Sequence, residues 1–224
     1  MYGYPNRLVI TTVLYVVSGF FVFALHAHTL DAPTLVLKEQ ERFSAETVIK
    51  SNTKSKITAA QNMELAIKTH LLKNMKGFEP TKAARLSKLI YKLSKKHGFS
   101  PGLILSVIKI ESNYLPWAVS PRGALGLMQI MPETGEWLVA KYGMKWQGPA
   151  MLFDEEVNVT LGIRYMAYLR DKYRGDLKKM LSAYNRGPAR VDEEVAEGRF
   201  FTLGYYNKIT EYLPRVALVE KRGL

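Results

Sequence analysis

Cysteine is absent from this 224-residue sequence, and histidine is scarce. Without cysteine the chain can form no disulfide bond, offer no thiol nucleophile and carry no lipid on an acylated cysteine. All four histidines lie in the first 100 residues, without the paired spacing of a metal site beyond that point, and the carboxylates form no calcium-loop pattern. We therefore predict an activity that needs neither a metal ion nor another cofactor. The histidines are His26, His28, His70 and His97.

Acidic residues are also in short supply, with 20 Asp and Glu against 32 Lys and Arg and a net charge of +12. Most of the basic excess lies between His26 and Ser100. These lysines are scattered along amphipathic patterns, without the interleaved aromatic residues typical of single-strand binding surfaces. We predict no nucleic-acid partner. Solvated helix faces account for the charge, while anionic lipid headgroups and an acidic wall polymer remain alternatives.

Only one long hydrophobic run occurs, "LVITTVLYVVSGFFVFAL", which spans Leu8–Leu25. An uncharged run of this length can cross a bilayer as a helix. Arg7 precedes it without any acid, so the positive-inside bias places the N-terminus in the cytoplasm and exports the remainder. A cleaved signal peptide and an uncleaved anchor both fit, and the poor cleavage site "ALHAHT" favours the anchor. We expect a membrane anchor over residues 1–25, with the remainder of the chain on the far side of that membrane.

No segment alternates with the period of a β-strand, whereas helical periodicity recurs along the chain. The sequence therefore predicts an all-α protein. Residues 26–75 are predicted to form a basic stalk and an accessory helix, which ends at Gly77. Residues 76–224 are predicted to form the main helical domain.

One carboxylate lies where a helix should face the core. In "FSPGLILSVIKIES", Ser100 and the following proline are a helix-start signal. Ile104, Ile108 and Glu111 then share one face of that helix. Burial favours the neutral form of a carboxyl group and raises its pKa, which suits a general acid near neutral pH. The alternative is that Glu111 closes the helix, turns to solvent and takes no part in chemistry.

Two later segments carry polar side chains beside tight turns. In "SPRGALGLMQIMPETG", glycines allow close backbone approach, and Gln129 lies between apolar neighbours, where an amide needs a hydrogen-bonding partner. In "SAYNRGP", Tyr184 and Asn185 end an apolar helix. Each segment alone is compatible with an ordinary turn or helix end. Together with Glu111, these ends can converge on one cleft.

The order of these motifs resembles the soluble lytic transglycosylase family, whose helical fold is similar to goose-type lysozyme. The resemblance rests on "ESNYLPWAVSPRGALGLMQIMPETG", "NVTLGIRYMAYL" and "LSAYNRGPARV". They contain, in order, the family's Glu-Ser pair, Ser-Pro, Gly-Leu-Met-Gln, an Asn and Gly pair and Ala-Tyr-Asn. The match extends from about Pro80 to the C-terminus, so the resemblance implies that residues 76–224 are the catalytic domain.

This resemblance implies cleavage of the β-1,4 bond between N-acetylmuramic acid and N-acetylglucosamine in peptidoglycan. Glu111 would be the single general acid and base. It would protonate the glycosidic oxygen and then accept the proton of the muramic C6 hydroxyl as that oxygen attacks C1. The product is a 1,6-anhydromuramic end, formed without the second carboxylate that most glycosidases use.

The resemblance also implies the residues that bind the glycan. Ser120 would bond near the N-acetyl group, and Gln129 and Met131 would line the groove. Tyr184 would lie beside the catalytic glutamate, with Asn185 in a groove or supporting role. In the closing segment "TLGYYNKI", Tyr205 aligns best with the family's cleft aromatic, and the adjacent Tyr206 is the alternative.

Two departures from the family pattern leave other functions open. Glu155 replaces a common proline, and Leu203 replaces an arginine of the closing segment. The acids Glu155 and Glu156 would permit a lysozyme-type hydrolase if one of them lay across the cleft, although acids are also favoured at a helix N-terminus. A peptidoglycan-binding assembly module is the third candidate. Together with the anchor, the resemblance implies an inner-membrane enzyme whose catalytic domain lies in the periplasm, or an exported enzyme if the signal is cleaved. Such an enzyme suits either an envelope-spanning assembly as partner or ordinary wall turnover.

Overall fold

The computed structural model describes residues 15–17, 20–22, 42, 44–46, 58–199 and 203–222. Contacts divide the chain into two units, Met1–Thr53 and Lys54–Leu224.

In the first unit, two short strands lie within the run that the sequence predicts to be a membrane helix. Strand β1 is Tyr15–Val17 and strand β2 is Phe20–Val22, and they pair antiparallel with Val17 opposite Phe20. The helix prediction for Leu8–Leu25 is therefore wrong at these residues, and the rest of the run lies outside the described residues. Arg42 and residues 44–46 are helical.

Local composition explains the two strands. Their residues are all aromatic or β-branched, types that fit a pleated strand better than a helix. Only Ser18 and Gly19 separate them in the sequence, and a two-residue connection containing glycine is a hairpin signal. The helix prediction used only the length and hydropathy of the run, which contain no information on strand propensity or on the two-residue connection. Across the described residues, the helices include none with the length and apolar character needed to span a bilayer.

The second unit is helical, which confirms the all-α prediction for its described residues. Its helices are α1 (residues 58–74), α2 (Pro80–His97), α3 (Pro101–Ser112), α4 (Pro132–Lys141), a 3-10 helix (Pro149–Phe153), α5 (Glu155–Lys172), α6 (Leu177–Arg186), α7 (Pro188–Ala196) and α8 (Gly204–Arg222).

Helix α3 starts where the sequence predicts. The Ser100 hydroxyl accepts a hydrogen bond from the Leu103 amide at 3.1 Å, and Pro101 occupies the first turn. Every residue from Pro101 to Ile108 is buried. A helix that is apolar on all sides belongs inside the core, and α3 packs against both α2 and α8. The catalytic candidate at its C-terminal end is thus attached to the best-buried element.

The accessory helix predicted before residue 76 forms as α1, and its apolar face joins the same core. Ile67 and Leu71 are fully buried, and Met75 is nearly so. The compact unit therefore begins ahead of the predicted catalytic domain. The prediction that residues 76–224 are the part needed for catalysis concerns activity, and it stays a prediction.

Candidate active site

Glu111 lies in the last turn of α3, half-buried, on the face shared with the buried Ile104 and Ile108. The Tyr205 hydroxyl, on α8, donates a hydrogen bond to Glu111 Oε1 at 2.5 Å. Burial raises the pKa of Glu111 from 4.5 to about 7, and the hydrogen bond from Tyr205 opposes that rise. Near neutral pH the side chain is therefore present in both protonation states, as a group that must donate and then accept a proton requires.

Two tyrosines surround this carboxyl group. Burial, followed by the negative charge of Glu111, raises the pKa of both Tyr184 and Tyr205 well above 10. Both therefore keep their phenolic protons at neutral pH. The Tyr184 hydroxyl donates to the Met128 carbonyl at 2.8 Å, so it holds the neighbouring loop. Tyr206, the alternative cleft aromatic, instead lies under Lys178, whose Nζ is 5.8 Å from its ring centroid.

Asn158 of α5, which is completely buried, holds the loop between α3 and α4 through hydrogen bonds. Its Oδ1 accepts a hydrogen bond from the Met128 amide at 2.7 Å. Its Nδ2 donates to the Leu125 carbonyl at 2.9 Å and to the Leu152 carbonyl at 2.7 Å. Ser112, the residue after Glu111, donates to the Leu127 carbonyl at 2.8 Å. The Ser112 bond ties the loop to the helix that carries Glu111, and two of the Asn158 bonds tie the same loop to α5.

Two glycines permit this close approach. A Cβ at Gly126, whose φ is +77°, would lie 2.3 Å from the Leu152 carbonyl oxygen and 2.4 Å from Asn158 Nδ2. A Cβ at Gly162 would lie 2.4 Å from Met128 Sδ. The loop can therefore pack on α5 only because both positions lack a side chain.

Gln129 and Met131 lie on this loop. Gln129 adopts a positive φ of 49°, and its Nε2 donates to the Ala118 carbonyl at 3.1 Å and the Gly126 carbonyl at 2.9 Å. The hydrogen-bonding partners that this amide needs are thus backbone groups of the loop itself. Met131 is half-buried and occupies the N-cap position of α4, where its side chain makes no capping hydrogen bond.

The two remaining candidates differ in their surroundings. The Ser120 hydroxyl accepts hydrogen bonds from the Ala124 amide at 2.9 Å and the Arg122 amide at 3.3 Å, so it stabilises a turn of the same loop. Asn185 is exposed at the end of α6. The structure brings Glu111 together with Tyr184 and Tyr205, and Ser120, Gln129 and Met131 lie on one loop. Asn185 follows Tyr184 in α6 and is exposed at the surface.

The two extra acids lie at the N-terminus of α5, where Asp154 caps the helix and accepts a hydrogen bond from the Val157 amide. Glu156 forms an ion pair with Arg85 at 2.8 Å, and Glu155 approaches Lys82 at 3.8 Å. Both acids therefore face basic residues of α2.

Two supporting groups escaped prediction as functional residues. Asn158 belongs to the quoted "NVTLG" motif, and its signal was a polar side chain in an otherwise apolar helix face. His70 of α1 places its Nε2 2.6 Å from the Tyr114 hydroxyl, which donates to the Leu105 carbonyl at 3.0 Å. Tyr114 also interacts with Tyr212 of α8. No spacing in the sequence connects residues this far apart.

The chain is similar to a known domain family and to several known proteins. The family model of the transglycosylase SLT domain matches residues 88–202, which is more than half of the chain. The membrane-bound lytic murein transglycosylase C of Actinobacillus pleuropneumoniae serotype 5b (strain L20) is 35% identical over 129 residues, covering 54% of this chain and 35% of that protein. The protein of the same name from Serratia proteamaculans (strain 568) is 34% identical over 128 residues, covering 53% and 36%.

The chain thus spans about a third of the length of the curated relatives it matches. Among solved structures it is similar to the 70 kDa soluble lytic transglycosylase from Escherichia coli. That similarity has 25% identity and a TM-score of 0.46, and it covers 64% of this chain and 26% of that one. By the family match, and as its motif order predicts, the chain belongs to the transglycosylase SLT domain family.

Proposed function

We propose that this protein is a peptidoglycan lytic transglycosylase in which Glu111 is the single general acid and base. One observation carries the proposal. Burial at the end of α3 raises the pKa of Glu111 to about 7, and the Tyr205 hydroxyl holds the same carboxyl group in place. The names of the relatives, which are lytic murein transglycosylases, support the substrate.

The reaction requires one carboxyl group to work twice. Protonated Glu111 gives its proton to the glycosidic oxygen between N-acetylmuramic acid and N-acetylglucosamine, and the C1–O bond breaks. The resulting carboxylate accepts the proton of the muramic C6 hydroxyl while that oxygen forms a bond to C1. The 1,6-anhydro ring closes, Glu111 is protonated again, and no water is consumed. A pKa near the working pH makes both transfers accessible.

The surrounding residues have separate tasks in this proposal. Tyr205 orients the Glu111 carboxyl group and stabilises its charged form through the donated hydrogen bond. Tyr184 fixes the Met128 carbonyl and so shapes the loop beside the carboxyl group. We assign glycan binding to Ser120, Gln129, Met131, Asn185 and the two tyrosines, as the family resemblance implies.

A lysozyme-type hydrolase is the second candidate, because it would use the same fold. It needs a second carboxylate to activate water or attack the sugar. The pKa of Glu111 is shifted by burial and by Tyr205, with no carboxylate among its causes. Glu155 and Glu156 are paired with basic residues of α2. These facts favour the transglycosylase. A binding module without catalysis has no use for a carboxyl group whose pKa is raised in this way.

We also propose that the protein works at the bacterial envelope, in association with a membrane and facing the periplasm. The relatives are named membrane-bound proteins, and peptidoglycan lies outside the cytoplasmic membrane. Local cutting of the wall would serve either an envelope-spanning assembly or wall turnover.

Mass spectrometry of soluble products tests the proposed reaction. The full chain is incubated with purified peptidoglycan, beside Glu111→Gln, which keeps the shape of the side chain but cannot transfer a proton. We expect muropeptides one water lighter than hydrolytic products, and a rate about 10³-fold lower in the variant. Hydrated reducing ends would establish the hydrolase instead. Undiminished release by Glu111→Gln would rule out Glu111 as the acid.

A further inference from the structure

Trp137 of α4 forms an aromatic cluster with Tyr165 and Tyr168 of α5. Trp137 of α4 leaves 40% of its surface exposed. Its ring lies edge-on to Tyr168, with centroids 4.9 Å apart, and is 6.5 Å from the ring of Tyr165. Trp137 thus packs on two tyrosines while part of its surface stays open to solvent, and a group of rings with an open face can bind the apolar surface of a ligand.

This cluster is joined to the active site by a row of rings. Tyr165 and Tyr168 stack with an interplanar angle of 12° at 6.3 Å, and Tyr165 lies 5.5 Å from Tyr184. Tyr184 in turn lies close enough to Glu111 for that carboxylate to raise its pKa. The row therefore leads from the catalytic carboxyl group outward to the exposed face of Trp137.

A positive charge borders the outer end of the row. Lys141, one turn after Trp137 on α4, places its Nζ 5.4 Å from the Trp137 centroid and 5.5 Å from that of Tyr168. Its side chain is exposed, and within the described part of the chain Lys141 enters no salt bridge. An ammonium group held over two rings by cation–π attraction is available to an incoming anion.

The open ring of Trp137 and the ammonium group of Lys141 together suit a polymer that carries both sugar rings and negative charges. The face of a pyranose ring that carries C–H groups packs on an aromatic ring, as apolar groups do generally. A carboxylate near that sugar would pair with the ammonium group of Lys141. Peptidoglycan supplies both, because its amino sugars alternate along the strand and its stem peptides end in free carboxylates.

We propose that Trp137, Tyr168 and Lys141 form an outer binding site for the peptidoglycan strand, distinct from the residues around Glu111. Trp137 supports a sugar ring remote from the cleaved bond, and Lys141 binds a stem-peptide carboxylate. This site would keep the strand engaged at one end of the row while the bond at Glu111 is broken. It rests on the proposed function, since it assigns part of the same substrate to a second surface.

Calorimetric binding to the full chain carrying Glu111→Gln separates this site from catalysis. Two six-sugar ligands are compared: an uncharged N-acetylglucosamine oligomer, and a peptidoglycan strand bearing stem peptides. Trp137→Ala should weaken the binding of both ligands about tenfold, the scale expected when an aromatic side chain is removed from a binding site. Lys141→Gln should weaken only the stem-bearing strand, by about threefold, the scale of an exposed ion pair. Lys141→Arg should restore it.

Leu65→Ala is the control. Leu65 is an apolar side chain of α1 that is 61% exposed, and it lies outside both the aromatic row and the loop assigned to glycan binding. Equal losses from Leu65→Ala and Trp137→Ala, or unchanged affinity in Trp137→Ala, would overturn the site. Equal weakening of both ligands by Lys141→Gln would overturn the role of the charge. A parent that binds neither ligand would instead contradict the proposed function. Thermal unfolding of each variant checks that it is folded.

Discussion

The two sides of Glu111 are built differently. On the loop side, groups of α3, α5 and α6 bind the backbone of the α3–α4 loop through hydrogen bonds, two of which are made by Asn158. On the α8 side, the Tyr205 hydroxyl binds the carboxyl group directly. The hydrogen bonds of the loop side hold backbone groups. The α8 side touches the acid and changes its pKa.

The loop side lies inside the segment that the family model matches, whereas Tyr205 on the α8 side lies outside it. Residues 88–202 include Glu111, the loop and Asn158, whereas α1 and Tyr205 lie outside that segment. Helices from both ends of the unit nevertheless meet at Tyr114, through His70 and Tyr212. The matched segment therefore supplies the acid and its framework, and the flanking helices complete the surroundings of the acid.

Breaking the loop side should have the largest effect on stability. Asn158→Ala removes the partner of the Met128 amide and the Asn158 donor to the Leu152 carbonyl, while the Leu125 carbonyl keeps its bond from the Ile130 amide. The free energy of unfolding should fall by about 3 kcal/mol. Urea denaturation measures the change. Asn207→Ala, an exposed asparagine of α8, is the control and should alter stability by no more than about 0.5 kcal/mol. A loss below about 1 kcal/mol for Asn158→Ala would show that the loop does not depend on these bonds.

The buried acid should make stability depend on pH. The pKa of Glu111 is 4.5 when unfolded and about 7 when folded, so the folded state resists its ionisation. Above pH 7 this penalty is fully present, at about 3 kcal/mol, and it fades as the pH falls towards 4.5.

Glu111→Gln removes that penalty. We expect the variant to gain stability over the parent as the pH rises from 4.5 to 7, and the two proteins to differ by a constant amount at lower pH. Denaturant unfolding at a series of pH values measures the difference. A difference that does not change between pH 4 and 8 would mean that the carboxyl group titrates normally.

Breaking the α8 side should affect activity more than stability. Tyr205→Phe removes the hydrogen bond that favours the carboxylate, so the pKa of Glu111 should rise. The fall in kcat with increasing pH should then move to higher pH, and kcat should decrease about tenfold through lost orientation. Tyr206→Phe should leave the pH profile unchanged. If Tyr206→Phe shifts the profile and Tyr205→Phe does not, the cleft tyrosine is misassigned.

Local signals explain what the sequence could predict. Ser100 and Pro101 define the start of α3, and helical phase then places Glu111 on the buried face. The ordered motifs identify the family. Each of these inferences needs only neighbouring residues, or their order along the chain.

Long-range packing explains the rest. The motif favoured Tyr205 and kept Tyr206 as an alternative, because the tyrosine that reaches Glu111 depends on how α8 is rotated against α3. The sequence could not show that Asn158 binds the loop, or that His70 reaches Tyr114 from α1. In the run Leu8–Leu25, hydropathy predicted a helix, while the β-branched and aromatic residues at Tyr15–Val17 and Phe20–Val22 form strands.

The most direct test of the account is to measure the pKa of Glu111 itself, by following its side-chain carboxyl carbon in NMR spectra across a pH series. Glu111→Gln identifies the resonance by its absence. The account predicts a pKa of about 7, because burial outweighs the hydrogen bond from Tyr205. A pKa of about 4.5 would contradict it, since such a group could not hold the proton that the glycosidic oxygen must receive.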